Sequence, residues 1–342
     1  MNMKGLKQLS YALAALVALQ LCGCSEKVPP VDDGDCAIVL APAVDDAQTR
    51  ASLYGDEDDL RAGLIHVHAY DSGTPRASFD SDAKYSTEDI DPSRHRWLFH
   101  DGNTYEEYYW PLDQSLDFFA YAPVSNEYVT VNSSVNPPEF TATLPLQNTG
   151  TVSQDNIREF AYAYANDRDR TGGAVPLAFH HPFAAIVFKI AMSQRDLTVK
   201  NIAVKGIDYA GTCSFDPQES ENPVWNTVEH PDGDMELAVG KIIPGDVNFG
   251  GELCGPYLVL PQKNSGADAK DLDIECHWKG YDADSDDMAA DTKVLKGRIE
   301  NDWEPAKIYT YTLDLGNSRE EILFKVSVTP WKYVYEHELE IE

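Results

Sequence analysis

Nine histidines, six cysteines and 57 acidic residues carry the reactive chemistry of this 342-residue chain. His66 and His68 stand two apart within Leu64 to Tyr70, where period-two alternation predicts a strand. Residues i and i+2 of a strand share one face, so two imidazoles could reach one metal ion. No third ligand stands beside them in the sequence, and no metal site is expected. His180-His181 is the one adjacent pair. Pro182 follows it and no Glu lies at helical spacing, so the helix-borne zinc motif is absent and hydrogen-bonded structural histidines are expected. Asp282-x-Asp284-x-Asp286-Asp287 opens like a calcium loop. Such a loop needs Gly at its sixth position and a bidentate Glu at its twelfth. The chain has Asp287 and Lys293 there, which fits a solvated acidic loop. Neither G-x-S-x-G, a phosphate-binding loop nor G-x-G-x-x-G occurs. Among 57 acids, the carboxylate pair that a glycosidase needs arises by chance. The expectation is a structural or binding protein, not an enzyme, with no cofactor.

The cysteines divide into two groups. Residues 1–23 carry Lys4, Lys7 and no acid, and an apolar run extends from Tyr11 to about Leu21. That run is short for a membrane-spanning helix and has the layout of a signal peptide. It ends in Leu21-Cys22-Gly23-Cys24, which resembles a bacterial lipobox. In such signals the Cys becomes the first residue and is diacylated, so Cys24 is the expected lipidation site. Acyl chains anchor a protein through burial worth about 0.8 kcal/mol per CH₂. Cys36, Cys213, Cys254 and Cys276 are widely spaced, without the C-x-x-C pairs of a zinc site. Buried free thiols are expected, with one disulfide as the alternative.

Positioning elements follow from composition. Lys and Arg total 27, so the net charge is −30, and it becomes −32 once residues 1–23 with their two lysines are removed. A phosphate backbone would be repelled, and no nucleic-acid partner is expected. Hydrophobic residues make up 43% of the chain, enough for a packed core. Short strand-like runs recur at 37–44, 64–70, 97–99, 105–110, 116–122, 140–146, 160–165, 175–181, 184–190, 199–207, 235–239, 257–260, 272–278, 308–315 and 323–328. Long 3.6-period helices are hard to find. This pattern predicts an all-β fold of sandwich type. Gly55 to Asp59 reads as an acidic turn, Asp101-Gly102-Asn103 as a hairpin turn, and the charged stretch 166–173 as a domain boundary.

Several segments together resemble the fimbrillin family, the subunits and associated proteins of type V pili. They include the lipobox with the run 37–44 and Thr49-Arg50-Ala51 after it. Tyr109-Trp110-Pro111 precedes Asp117-Phe118-Phe119-Ala120-Tyr121-Ala122-Pro123. Leu177-x-Phe179-x-His181-x-Phe183-Ala184 resembles the family's start of a second domain, and Tyr257 to Gln262 its "L-L-x-P-Q". Trp303 to Tyr311 is similar to "W-x-x-G-K-x-Y-x-Y", with Ala306 in place of Gly. Val328-Thr329-Pro330-Trp331 also fits.

The resemblance implies two tandem transthyretin-like β-sandwich domains. The organisation it suggests is a lipoprotein signal peptide at 1–23, a propeptide with a first strand at 24–50, an N-terminal sandwich at 51–173 and a C-terminal sandwich with a donor-strand region at 174–342. It also implies a cell-surface fimbrium subunit that supports adhesion, exported as an outer-membrane lipoprotein and polymerised by strand exchange. An Arg-specific protease would cut between Arg50 and Ala51. The strand carrying Ile38 and Leu40 would leave, and a neighbouring subunit would supply a strand. The donor residues would be Val326 and Val328, or Leu339 and Ile341. Other pilus subunits are the implied partners. The competing reading is a surface lipoprotein that binds glycans on an aromatic platform such as Tyr108-Tyr109-Trp110.

Overall fold

The computed structural model describes residues 37–44, 57–88, 96–100, 102–146, 160–192, 196–216, 219–227, 232–244, 251–278, 292–314 and 323–330. From Ile38 onward the chain forms one compact unit. It is nearly all β, as expected. The first strand is β1 (Leu40–Val44), followed by helix α1 (Glu57–Ala62). Then come β2 (Leu64–Asp71), β3 (Ala77–Ser86), β4 (Arg96–His100), β5 (Tyr105–Glu106), β6 (Leu116–Ala122), β7 (Val129–Asn132), β8 (Glu139–Thr143), β9 (Ala161–Arg168) and β10 (Val175–Phe179). The rest are β11 (Ala184–Met192), β12 (Leu197–Asp208), β13 (Ala210–Asp216), β14 (Glu219–Thr227), β15 (Asp232–Ile243), β16 (Glu252–Val259), β17 (Lys270–Trp278), β18 (Thr292–Ile299), β19 (Lys307–Asp314) and β20 (Leu323–Pro330).

These strands form five sheets in the orders β5-β4-β3-β2-β6-β9, β1-β10, β14-β13-β8-β7, β16-β11-β19-β20 and β15-β12-β17-β18. The six-stranded sheet contributes to two apolar cores. In β2, Ile65, Val67 and Ala69 enter one core, while His66, His68 and Tyr70 face the other way. β6 is apolar on both faces because both are covered. Leu116, Phe118, Ala120 and Ala122 join Ile65 and Val67, whereas Phe119 packs with Phe140, Tyr162 and Phe215. A third core lies between the last two sheets, with Phe188 stacked on Tyr311 at 5.6 Å.

The expected boundary at 173/174 falls ahead of β10, whose Val175, Leu177 and Phe179 fill the same core as Val67 and Phe118. β8 also pairs with β13 across that point, from Ala210↔Thr143 to Cys213↔Phe140. A cut at 173/174 would therefore separate β10 from the core it fills.

The expected turn at Gly55 to Asp59 is corrected in its second half, because α1 begins at Glu57. Leu60 is buried at 1% exposure. Arg61 lies 4.8 Å above the Tyr85 ring. The hairpin across Gly102 is present: β4 pairs with β5 and Gly102 takes φ +94°. Cys213, Cys254 and Cys276 are free thiols, Cys213 and Cys276 buried and Cys254 half-buried.

Candidate functional site

The first strand is built into the body of the protein. Ile38, Leu40 and Pro42 point inward and are buried, while Val39 and Ala41 face out. Ile38 and Leu40 pack in the core with Trp97, Trp110, Phe118 and Leu177. The strand runs parallel to β10, from Leu40↔Val175 to Val44↔Phe179. The Val175 amide donates to the Val39 carbonyl at 2.8 Å, and the Ile38 amide donates to the Tyr108 carbonyl at 2.8 Å. β10 is its only sheet neighbour among the described residues. Removing β1 would leave one edge of β10 without its ladder and uncover the groove that Ile38 and Leu40 fill.

Among the described residues β20 is an edge as well, pairing with β19 alone, with Val326 opposite Tyr311 and Val328 opposite Tyr309. Tyr309 and Tyr311 are buried. Val326 is only half-buried against that core, and Val328 is 45% exposed. Core cover therefore thins at this edge.

The recurrent sequence motifs turn out to be joints of the fold. Asp117, at 4% exposure, accepts four hydrogen bonds: from the Ser72 hydroxyl (2.7 Å), the Gly73 amide (2.9 Å), the Asn136 side chain (2.8 Å) and the Asp167 amide (2.8 Å). Burial pushes its pKa up, but these bonds outweigh burial and hold it below the ordinary value. Gln262 and Trp303 exchange backbone bonds of 2.9 Å in both directions. The Gln262 side chain accepts from the Asp208 amide at 3.0 Å and donates to the Asp208 carbonyl at 3.1 Å. Trp303 donates its indole N–H to the Tyr311 hydroxyl at 2.8 Å. Ala306 takes φ +54°, a left-handed conformation that explains Gly at this place in the similar motif.

A family model described as fimbrillin-like matches residues 49–331. The chain belongs to the fimbrillin-like family. Among solved structures, a fimbrial protein from Bacteroides vulgatus is similar at 14% identity, covering 86% of this chain and 99% of its own, with a TM-score of 0.55. A protein from Bacteroides uniformis with a suggested cell-adhesion role matches at 13% identity, covering 88% and 100%, with a TM-score of 0.51. The tip fimbrial protein Mfa3 from Porphyromonas gingivalis matches at 11% identity, covering 85% and 99%, with a TM-score of 0.42. No protein with a curated description matches in sequence.

Within this fimbrillin-like chain, the structure brings Ile38 and Leu40 into the first core and places Val326 and Val328 on the outer strand of a different sheet. Cys24, Arg50, Ala51, Leu339 and Ile341 lie outside the described residues, as does the acidic run 282–287. The aromatic platform does not form. Trp110 is buried and Tyr108 stacks on Phe79 at 4.1 Å, so of the three only Tyr109 is exposed, at 53%.

One grouping was not legible by position. β2 pairs with β3 so that His66 lies opposite Asp82 and His68 opposite Asp80. His66 Nε2 is 2.6 Å from the Asp80 carboxylate, His66 Nδ1 is 2.6 Å from Asp82, and His68 Nδ1 is 3.2 Å from Asp80. Burial, then the charge of His66, pushes His68 down to about 4 against the opposing pull of Asp80. The signal available in the sequence was Asp80-x-Asp82, an i, i+2 acid pair that a hairpin can lay against His66-x-His68.

Proposed function

We propose that this protein is a non-enzymatic subunit of a cell-surface fimbrium, assembled by exchange of its first strand. The observation that carries the reading is the position of β1. It fills the first core with Ile38 and Leu40, yet among the described strands only β10 pairs with it, and in sequence the chain after Val44 leads to Arg50-Ala51. Burial of Ile38 and Leu40 is worth roughly 3–6 kcal/mol as an upper bound. While the chain is continuous, that strand stays at high effective concentration. After a cut at Arg50, backbone pairing and this burial alone retain it. A strand of a neighbouring subunit then replaces it by β-augmentation. A head-to-tail contact of this kind does not close, so it builds a filament.

The rest of the reading follows from the family. Two tandem sandwiches would occupy 51–173 and 174–342, with β10 of the second part reaching back to fill the first core. Lipidation at Cys24 would hold the precursor at the outer membrane, and an Arg-specific protease would release the subunit. The donor would come from the C-terminal region, through Val326 and Val328 or Leu339 and Ile341. Partners are other pilus subunits, and the role is adhesion.

The test is incubation of the purified full chain with a trypsin-like protease, followed by N-terminal sequencing and unboiled gels. A new N-terminus at Ala51 together with a ladder of oligomers is expected, and an Arg50→Ala variant gives neither. Cleavage at Ala51 without any oligomer would refute strand exchange. Radiolabelled palmitate entering the wild-type protein but not a Cys24→Ala variant tests the anchor separately.

A further inference from the structure

We propose that His66, His68 and Asp80 form a site for a divalent transition-metal ion, with Asp82 orienting His66 from behind. The three ligand atoms all lie within 4.8 Å of one another. In a tetrahedral zinc site, metal–nitrogen bonds of about 2.0–2.1 Å set neighbouring ligands about 3.3 Å apart. The present separations between Asp80 and the two rings are 2.6 Å and 3.2 Å, the second close to that value and the first shorter, so an ion entering would push Asp80 and His66 apart. Small rotations of three side chains would admit an ion.

Two further observations favour a metal over a plain ion-pair network. The first is the far side of His66. With Nε2 turned to Asp80, Nδ1 points at the Asp82 carboxylate at 2.6 Å. Metal-bound histidines donate their second ring N–H to a carboxylate in the same way, which fixes the tautomer and strengthens the ligand. The second is the degree of burial. His68 is 6% exposed and the Tyr121 ring lies against both imidazoles, at 5.0 Å and 5.9 Å, so the rings have little freedom to turn away. Asp80 has a side chain 53% exposed, which leaves an entry path and room for a water at the fourth position. Two imidazoles and one carboxylate suit zinc, cobalt, nickel or copper, not calcium, which takes six to eight oxygens. The net charge of −30 raises the local concentration of any cation.

β2 and β3 carry all four residues, so the ion would cross-link neighbouring strands of the six-stranded sheet. It would stabilise the folded state by mass action. The site lies on the face of β2 opposite Ile65 and Val67 and needs nothing from β1 or β20.

Cobalt(II) is the first probe, added to the metal-stripped full chain. One equivalent is expected to bind with visible d–d absorption, to be displaced by zinc, and to raise the melting temperature. Asp80→Asn, a change at a half-exposed residue that leaves the cores intact, should abolish the bands. Asp82→Asn should weaken binding about 10- to 100-fold without abolishing it. A triple Asp282→Asn, Asp284→Asn, Asp286→Asn variant should bind as the wild type does. No band with the wild type, or bands that persist in Asp80→Asn, would overturn the site. Loss of binding in the triple variant would assign the metal to the acidic run instead.

Discussion

Replacing Asp117 with Asn changes one oxygen to nitrogen in a buried carboxylate, and the cost can be worked from its neighbours. One oxygen accepts from the Ser72 hydroxyl and the Asp167 amide; the other accepts from the Gly73 amide and the Asn136 side chain. The Asn side chain keeps a single acceptor oxygen. If its NH₂ turns towards Ser72, that hydroxyl can rotate to accept, but the Asp167 amide then faces a donor. If it turns the other way, the Gly73 amide does. At least one backbone donor loses its acceptor in either pose, at about 1–3 kcal/mol, and the surviving bonds lose their charge. The expected loss is about 2–4 kcal/mol in urea unfolding at pH 7. The pH dependence supplies an independent check. The carboxyl is held below its ordinary value near 3.8, so the folded chain binds fewer protons than the unfolded one as pH falls through that region. The stabilisation is therefore fully present above about pH 4–5 and disappears as pH drops through the folded value. The gap between wild type and Asn variant should be constant from pH 5 to 7 and should shrink below pH 4. A variant within 0.5 kcal/mol of wild type at pH 7, by the ~1 kcal/mol scale of a single bond, would refute the joint.

Two further substitutions test backbone strain. Ala306→Gly relieves a left-handed alanine at φ +54° while keeping the 2.8 Å bond from its amide to the Phe183 carbonyl. The gain should be about 0.5–1 kcal/mol, since about 1–2 kcal/mol of strain is partly offset by the unfolded-state entropy of glycine, and it is read as a higher urea midpoint. Gly255→Ala acts in the opposite sense: φ is +111° and a Cβ would sit 2.7 Å from the Ile186 carbonyl oxygen and 3.0 Å from Val187 Cα. A loss of about 2–4 kcal/mol is expected in the same assay.

The fold class was legible because alternation reports burial directly. β2, β10 and β19 show it, β6 reads instead as a continuous apolar run covered on both faces, and each was expected. β3, β7, β13, β14 and β18 were not, for a shared physical reason. β3 reads ASFDSDAKYS and buries only Ser81 and Ala83, so its apolar signal is thin even though it joins β4 to β2 in the sheet. β14 is similarly polar, and its Trp225 is partnered through an indole bond to the Pro182 carbonyl instead of through alternation. The His–Asp cluster was hidden for the same reason, since Asp80 and Asp82 lie on the unexpected strand. α1 was missed because six residues are too few to show a helical period.

The proposed strand exchange would also have to run downhill, and the chain bears on this. The departing strand takes three inward residues with it, Ile38, Leu40 and Pro42, of which two are large. If the C-terminal candidate forms a strand, Tyr333, Tyr335, His337, Leu339 and Ile341 would share one face by their spacing, two of them tyrosines. An aromatic side chain buries about 150–250 Å², so the incoming face carries more apolar area than the one it replaces. At about 25 cal/mol per Å², an extra 100–200 Å² favours the incoming strand by roughly 2.5–5 kcal/mol before the entropy of joining two subunits is counted. On this reading, the intact Arg50-Ala51 bond is what prevents exchange. It keeps β1 tethered beside its own groove, where a weaker strand outcompetes a stronger one that must arrive from solution. Cutting the tether removes that advantage without altering a single contact in the groove. The difference in buried area then decides the outcome, so proteolysis would serve as the switch.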